Sequence, residues 1–405
     1  MASNPMASNT TEQRFGIQEL IPVRVEECHY PVSGNRLNLV IPALSAKWSS
    51  GGGPATAIRL FKALLEHFEH ARVVITHETQ AQFDFGEWPG WSLDGDSGTR
   101  SIALLGDRST SLSVAAGDLF LATFWSTALY VRHILARQAQ WYPNAPRRFA
   151  YLIQDFEPSF YAWSAEYVFA KQTYLNCDDV IAVFNTQFLS DYFRNGGHRF
   201  SGQYVFEPML NPRLRQKWAE ARGLEKERLI LVYGRPSVSR NGFGLIVEAL
   251  RVWADTFPGA IEWTLVSAGE QHPDVYLGKG MTLQSRGKVT LDEYAQHLSR
   301  CWVGLSLMFS PHPSYPPLEL AEFGAWAITN AFENKDLSAL APNIISVDPL
   351  TPEEIAAKLA WSCEQYRPAQ TTVIADCPGV FKSEGVEFPF APALVESWRL
   401  AKPAG

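Results

Sequence analysis

Cysteine is scarce in this 405-residue chain: five, Cys28, Cys177, Cys301, Cys363 and Cys377, scattered and without metal-ligand spacing. That excludes a disulfide framework or a zinc ribbon and predicts reduced thiols in a cytoplasmic setting. No run reaches the roughly 18–20 apolar residues of a membrane span. The opening MASNPMASNTTEQ lacks the basic and apolar regions of a signal peptide, and its repeated MASN reads as a start duplication outside the fold. Basic charge is short as well. With 35 Lys and Arg against 42 Asp and Glu, the net charge is −7, and no basic run could neutralise a nucleic-acid backbone. A GxGxxG fingerprint and a Walker A lysine are both missing, which argues against a dinucleotide oxidoreductase and a P-loop enzyme.

What is present is apolar and aromatic: 46% hydrophobic residues and 13% aromatics, enough for two or three packed domains. From Leu37 onward, short apolar runs (LNLVIPAL, ARVVITHET, DLFLATF, RFAYLIQDF, DDVIAVF) alternate with helical patterns, the signature of parallel sheets covered by helices. The segment from Gln80 to Ser113 has little periodicity and reads as an irregular insertion containing short strands. A second strand series starts at LILVYG and continues through IEWTLVSAG, MTLQSRG, WVGLSLMFS, AWAITN and NIISV. The expected organisation is an extension over 1–36, a first α/β domain over 37–220, a second α/β domain over 221–375, and a tail over 376–405 returning to the first domain. Two doubly wound sheets in tandem set their ligand crevices at the carboxyl ends of the strands, facing each other across a cleft.

Motifs at those ends carry the chemistry. In MFSPHPSYPPLELAEFGAWAITN, Pro316 and Pro317 suit a first helical turn, whose N–H groups have no partner within the helix. The amides of Ser314, Tyr315 and Leu318 are then expected at the positive end of the helix dipole, an anion site, with Glu319 placed to accept hydroxyl hydrogen bonds from the same ligand. An anion flanked by hydroxyls describes a nucleotide. The competing reading is a stiff loop with Glu319 as a dipole-favoured charge. SSGGGP follows the first strand and precedes a helix, so Gly51, Gly52 and Gly53 allow close backbone approach to a phosphate or sugar, or form a flexible turn. LILVYGRPSVSRNGFG puts Arg235 at a strand end and Arg240 before the next helix, two guanidiniums able to grip a diphosphate; a surface salt bridge is the alternative for Arg240. Thr290 and Glu293 have capping-box spacing, leaving Lys288 in the loop before a helix, beside a nucleobase or solvated.

Gln154, Asp155 and Glu157 follow the strand RFAYLI. The two carboxyls suit general acid–base work and acceptor contact, although Glu157 before Pro158 also suits a turn. Asp94 and Asp96 in LDGDSG read as a turn rather than a metal site, and no metal is expected. His77 and His312 are candidate cleft histidines without metal-ligand spacing. RHILARQAQWYPNAPRRF offers Arg132, Arg137, Arg147 and Arg148 as a basic surface patch for a peripheral membrane contact, or as an ordinary solvated helix.

Together, the strand ending in GR, the basic residue before NGFGLIVEAL, GKVTLDEYAQHL and the proline-rich entry to Glu319 resemble the donor domain of family-4 GT-B glycosyltransferases. QDFEPSFY and SPHPSYPPLELAEFGA are similar to segments of WsaF-type rhamnosyltransferases, and the resemblance spans about residues 37 to 400. It implies a GT-B fold and a nucleotide-sugar donor such as dTDP-rhamnose. It also implies a glycan or lipid-linked glycan acceptor and metal-independent, retaining transfer. By position, it gives the donor diphosphate to Arg235 and the amides near Ser314 and Tyr315, the ribose to Glu319, and the edge of the nucleotide to Lys288 and Tyr315. One departure is plain: Pro311 stands where the family's first glutamate is expected, so His312 or a backbone group is left to recognise the sugar. That departure keeps open a nucleotide-sugar binding protein without turnover.

Overall fold

The computed structural model describes residues 17, 20–44, 52–79, 88–93, 99–375, 379–381 and 385–399. Eight strands form a parallel sheet in the spatial order Phe200–Phe206, Cys177–Asn185, Phe149–Ile153, Asp118–Ala122, Arg36–Ile41, His70–Ile75, Arg100–Leu104 and Ser92–Leu93. Its central strands are buried along their whole length, as parallel strands covered on both faces must be. One core packs the helix Gly53–Leu65 on one face, and another packs Trp125–Trp141 on the other.

The second sheet has seven strands: Val275–Gly278, Met281–Ser285, Thr264–Gly269, Glu227–Gly234, Cys301–Leu305, Trp326–Asn330 and Ile344–Val347. All pair in parallel except Val275–Gly278, an antiparallel edge hairpin with Met281–Ser285. In each sheet the strand order reverses once. The reversals fall between Arg36–Ile41 and Asp118–Ala122, and between Glu227–Gly234 and Cys301–Leu305. Crevices form at such points because the loops leaving the two strands diverge to opposite sides.

Two boundaries differ from the sequence reading. The strand Arg24–Glu27, within the expected extension, pairs in parallel with Ser111–Val114, and Val23 enters the first domain's core. The insertion itself holds short strands as expected, Ser92–Leu93, Arg100–Leu104 and Ser111–Val114. The helix Pro212–Glu220 packs on the second domain rather than the first: Leu214 joins that core, Arg213 pairs with Asp292 at 2.6 Å, and Trp218 Nε1 donates to the Glu322 carbonyl at 2.8 Å. The crossing thus lies ahead of residue 212, where the amphipathic helix finds its apolar partner. At the other end, the helix Ala391–Arg399 packs Leu394, Val395 and Trp398 into the first domain's core.

Candidate active site in the interdomain cleft

Both reversal points open on one cleft of about 920 Å³. The first domain contributes Gly52, Gly53, Phe124, Gln154, Asp155, Glu157 and Phe160; the second contributes Tyr233, Arg240, His312, Ser314, Tyr315 and Glu319. Gly52 has φ 81°, a left-handed conformation that favours glycine, and starts the helix Gly53–Leu65. A Cβ on Gly53 would sit 3.2 Å from the Gln154 amide, so that glycine admits the side chain against the helix start. Gly51, Asp94 and Asp96 lie outside the described residues.

Asp155 joins the two domains. Its Oδ1 accepts from the Phe156 amide at 2.8 Å and from Ser310 Oγ, while its Oδ2 lies 3.7 Å from Arg240 Nε. The half-buried Arg240 guanidinium also covers the Phe160 ring at 4.1 Å. Burial pulls its pKa below the ordinary arginine value and Asp155 opposes that shift, with Arg235 adding like-charge repulsion. Lys335 Nζ is buried close by and donates to the Met308 carbonyl at 2.6 Å; burial lowers its pKa to about 7, with Asp155 opposing.

Glu319 sits in the short helix Pro316–Glu322, which begins at Pro316 because the two prolines need no amide partner. Its Oε2 accepts from Tyr294 Oη at 2.8 Å, and burial raises its pKa to about 7. The capping box that starts the helix Leu291–Arg300 orients Tyr294: Thr290 Oγ1 accepts from the Glu293 amide at 3.2 Å, and Glu293 Oε2 accepts from the Thr290 amide at 2.8 Å.

Four expected roles change. The Ser314 amide is not free, because it donates to His312 Nδ1 at 3.0 Å, and Ser314 itself is left-handed with φ 67°. The seven-residue helix Pro316–Glu322 is too short for its dipole to dominate the site. Arg235 is not in the cleft wall; its charge acts on Glu270, which caps Ser237, and the guanidiniums that line the space are Arg240 and Arg59, the latter paired with Glu387 at 2.8 Å. Glu157 is buried, accepting from Tyr151 Oη at 2.7 Å, and desolvation raises its pKa to about 8, so it is a neutral acid at pH 7 rather than a carboxylate base.

Lys288 is exposed in the loop before Leu291–Arg300 and also lies outside the cleft wall. His77 is elsewhere, its ring 3.1 Å from Thr76 Oγ1. The basic patch is smaller than expected, since Arg132 pairs with Asp179 at 3.0 Å and Arg137 lies over the Trp141 ring at 5.2 Å. Among the described residues no helix is long and apolar enough to cross a membrane. Ser310, Tyr294 and Lys335 were not anticipated. Ser310 lay within the motif itself, but Lys335 in ENKDLSAL has the look of a solvated turn.

Two family models match the chain, the WsaF N-terminal domain over residues 36–187 and the WsaF C-terminal domain over 228–360. The chain belongs to the WsaF family of GT-B glycosyltransferases. It is 32% identical over 250 residues, 60% of its length, to the O-antigen biosynthesis protein RfbC of Myxococcus xanthus, and spans 18% of that protein. The α,α-trehalose 6-phosphate synthase of Burkholderia multivorans superposes with a TM-score of 0.53 at 11% identity, covering 82% of this chain and 91% of its own. The α,α-trehalose-phosphate synthase of Burkholderia vietnamiensis gives 0.53 at 10% identity, over 81% and 91%. At such identities the likeness is one of fold. The two WsaF-type domains correspond to the two sheets, and the cleft lies between them.

Proposed function

We propose that the protein transfers a deoxysugar, rhamnose from dTDP-rhamnose, to a glycan of the cell surface, with retention of anomeric configuration and without a metal ion. The observation that carries this reading is the charge balance at the domain junction. Arg59, Lys62 and Arg240 line the cleft against the carboxyls of Asp155 and Glu387, while burial keeps Glu157 neutral and raises the pKa of Glu319 to about 7. An excess of positive charge at a reversal point favours an anion. A nucleoside diphosphate suits it, with Glu319 accepting ribose hydroxyls. As the bond between sugar and diphosphate breaks, negative charge grows on the leaving phosphate. A guanidinium held beforehand over the Phe160 ring stabilises that charge with little reorganisation. The positive charge growing on the sugar carbon is protected from water by the closed cleft. The acceptor hydroxyl attacks from the same face, with the donor phosphate helping to take its proton and Asp155 orienting it. The relationship to a protein named for O-antigen biosynthesis supports a polysaccharide as product.

Replacing Arg240 by alanine should weaken dTDP binding about ten- to a hundredfold, the value of one charge-assisted bond. Calorimetry reads it directly, and an unchanged affinity would remove the guanidinium from the donor site. A second reading, nucleotide-sugar binding without turnover, is motivated by Pro311 in place of a carboxylate. Transfer of radiolabelled rhamnose to a glycan acceptor separates the two.

A further inference from the structure

The loop from Ser310 to Ser314 is bonded to itself in a way that leaves one atom over. The His312 amide donates to Ser310 Oγ at 3.0 Å, and Ser310 in turn donates to Asp155. The Ser314 amide, turned back by its left-handed φ of 67°, donates to His312 Nδ1 at 3.0 Å. A backbone N–H can only donate, so Nδ1 must carry a lone pair, and in a neutral imidazole the single proton then resides on Nε2. Burial holds the ring neutral by pushing its pKa down to about 4, with Lys335 and Arg240 adding to the shift and Asp155 opposing it. His312 Nε2 is buried, has no hydrogen-bond partner, and belongs to a side chain only 7% exposed that lines the cleft. Prolines at 311 and 313 restrict the backbone on both sides of it. An unpaired buried donor is costly, and native structures rarely keep one without a use.

We infer that His312 is a specificity-determining residue that donates its Nε2–H to an acceptor oxygen of the sugar carried by the nucleotide. The inference rests on the proposed nucleotide-sugar site and deepens it. A carboxylate at this end of the cleft would accept from a sugar hydroxyl. His312 reverses that polarity: it requires a lone pair and has none to offer. The bound group is a hydroxyl or ring oxygen of the sugar, and the nucleoside diphosphate alone does not engage it.

Two measurements test this. Imidazole nitrogen NMR of the intact protein labelled at histidine should show Nε2 protonated and Nδ1 bare from about pH 5 upward. An imidazolium or the opposite tautomer at neutral pH would overturn the inference, whatever the protein binds. Calorimetry then compares dTDP with dTDP-rhamnose, and UDP with UDP-glucose, on wild type, His312→Phe and His312→Gln. The expected result is a loss of about ten- to a hundredfold for the nucleotide sugar in His312→Phe, no change for the matching diphosphate, and partial recovery in His312→Gln, which retains an N–H. Equal losses for diphosphate and nucleotide sugar, or none for either, refute sugar reading by His312. Should wild type bind none of the four ligands, the nucleotide-sugar reading itself falls, and with it this use of the ring, while the NMR result still decides the tautomer.

Discussion

Glu157 shows what burial does to a single carboxyl that a sequence presents as chemistry. Its oxygen accepts from Tyr151 at 2.7 Å, Tyr151 stacks on Tyr174 with ring centres 5.9 Å apart, and Asp155 adds like-charge repulsion to the desolvation. The folded pKa of about 8 lies above the ordinary 4.5, so folding strengthens proton binding. The stabilisation is therefore complete below the unfolded pKa and disappears as pH rises through the folded one. Glu157→Gln keeps an oxygen for Tyr151 but does not titrate. Relative to that variant, the wild-type thermal midpoint should decline progressively between about pH 5 and pH 8. Referencing to the variant cancels the other shifted groups, including Glu319, which has the same sign, and Lys335, which has the opposite one. Parallel midpoint curves for the two proteins would mean that Glu157 is not a buried neutral acid.

At the scale of elements, the helix Ala391–Arg399 is the last described segment of the chain yet completes the first domain. Trp398 is fully buried there, its indole N–H donating to the Arg148 carbonyl at 3.1 Å. Replacing it by alanine should cost about 3–5 kcal/mol, a fall of roughly 10 °C in the thermal midpoint for a domain of this size. A drop of only a degree or two by scanning calorimetry would mean that the helix is not part of the first domain's core. Elements that obey one strong local rule could be read in advance. Pro316 starts its helix, Thr290 and Glu293 close a capping box, and the fully apolar runs are the central strands. Elements held by pairing alone could not. Phe200–Phe206 buries only Phe206, Val275–Gly278 is a four-residue antiparallel edge, and Arg24–Glu27 alternates between exposed and half-buried residues. The site divides in the same way. Arg240, Asp155 and Glu319 stand at strand and helix ends, where a crevice follows from topology. That Arg240 rather than Arg235 enters that crevice goes with contacts to Glu270, Asp155 and Phe160, groups from three separate segments that only the fold brings together.

At the scale of the whole molecule, the two domains meet through the same charges that would bind the ligand. Asp155 comes from the first domain and Ser310 and Arg240 from the second, so this contact spans the cleft. A donor diphosphate and the Asp155 carboxylate would then compete for one guanidinium. Removing the carboxylate should have opposite effects on binding and on turnover. In Asp155→Ala, Arg240 loses its competitor and the local potential becomes more positive. The affinity for dTDP should rise roughly two- to tenfold, equivalent to about 0.4–1.4 kcal/mol. Transfer to the glycan should fall by about a hundredfold or more, because the group proposed to orient the acceptor hydroxyl would be gone. Calorimetry with dTDP and a transfer assay on the same preparation measure both halves. A purely structural role for Asp155 would weaken binding and turnover together. A joint loss of both would show that the interdomain contact only holds the fold, whereas tighter binding with slower transfer would mean that the two domains meet through a carboxylate the donor displaces.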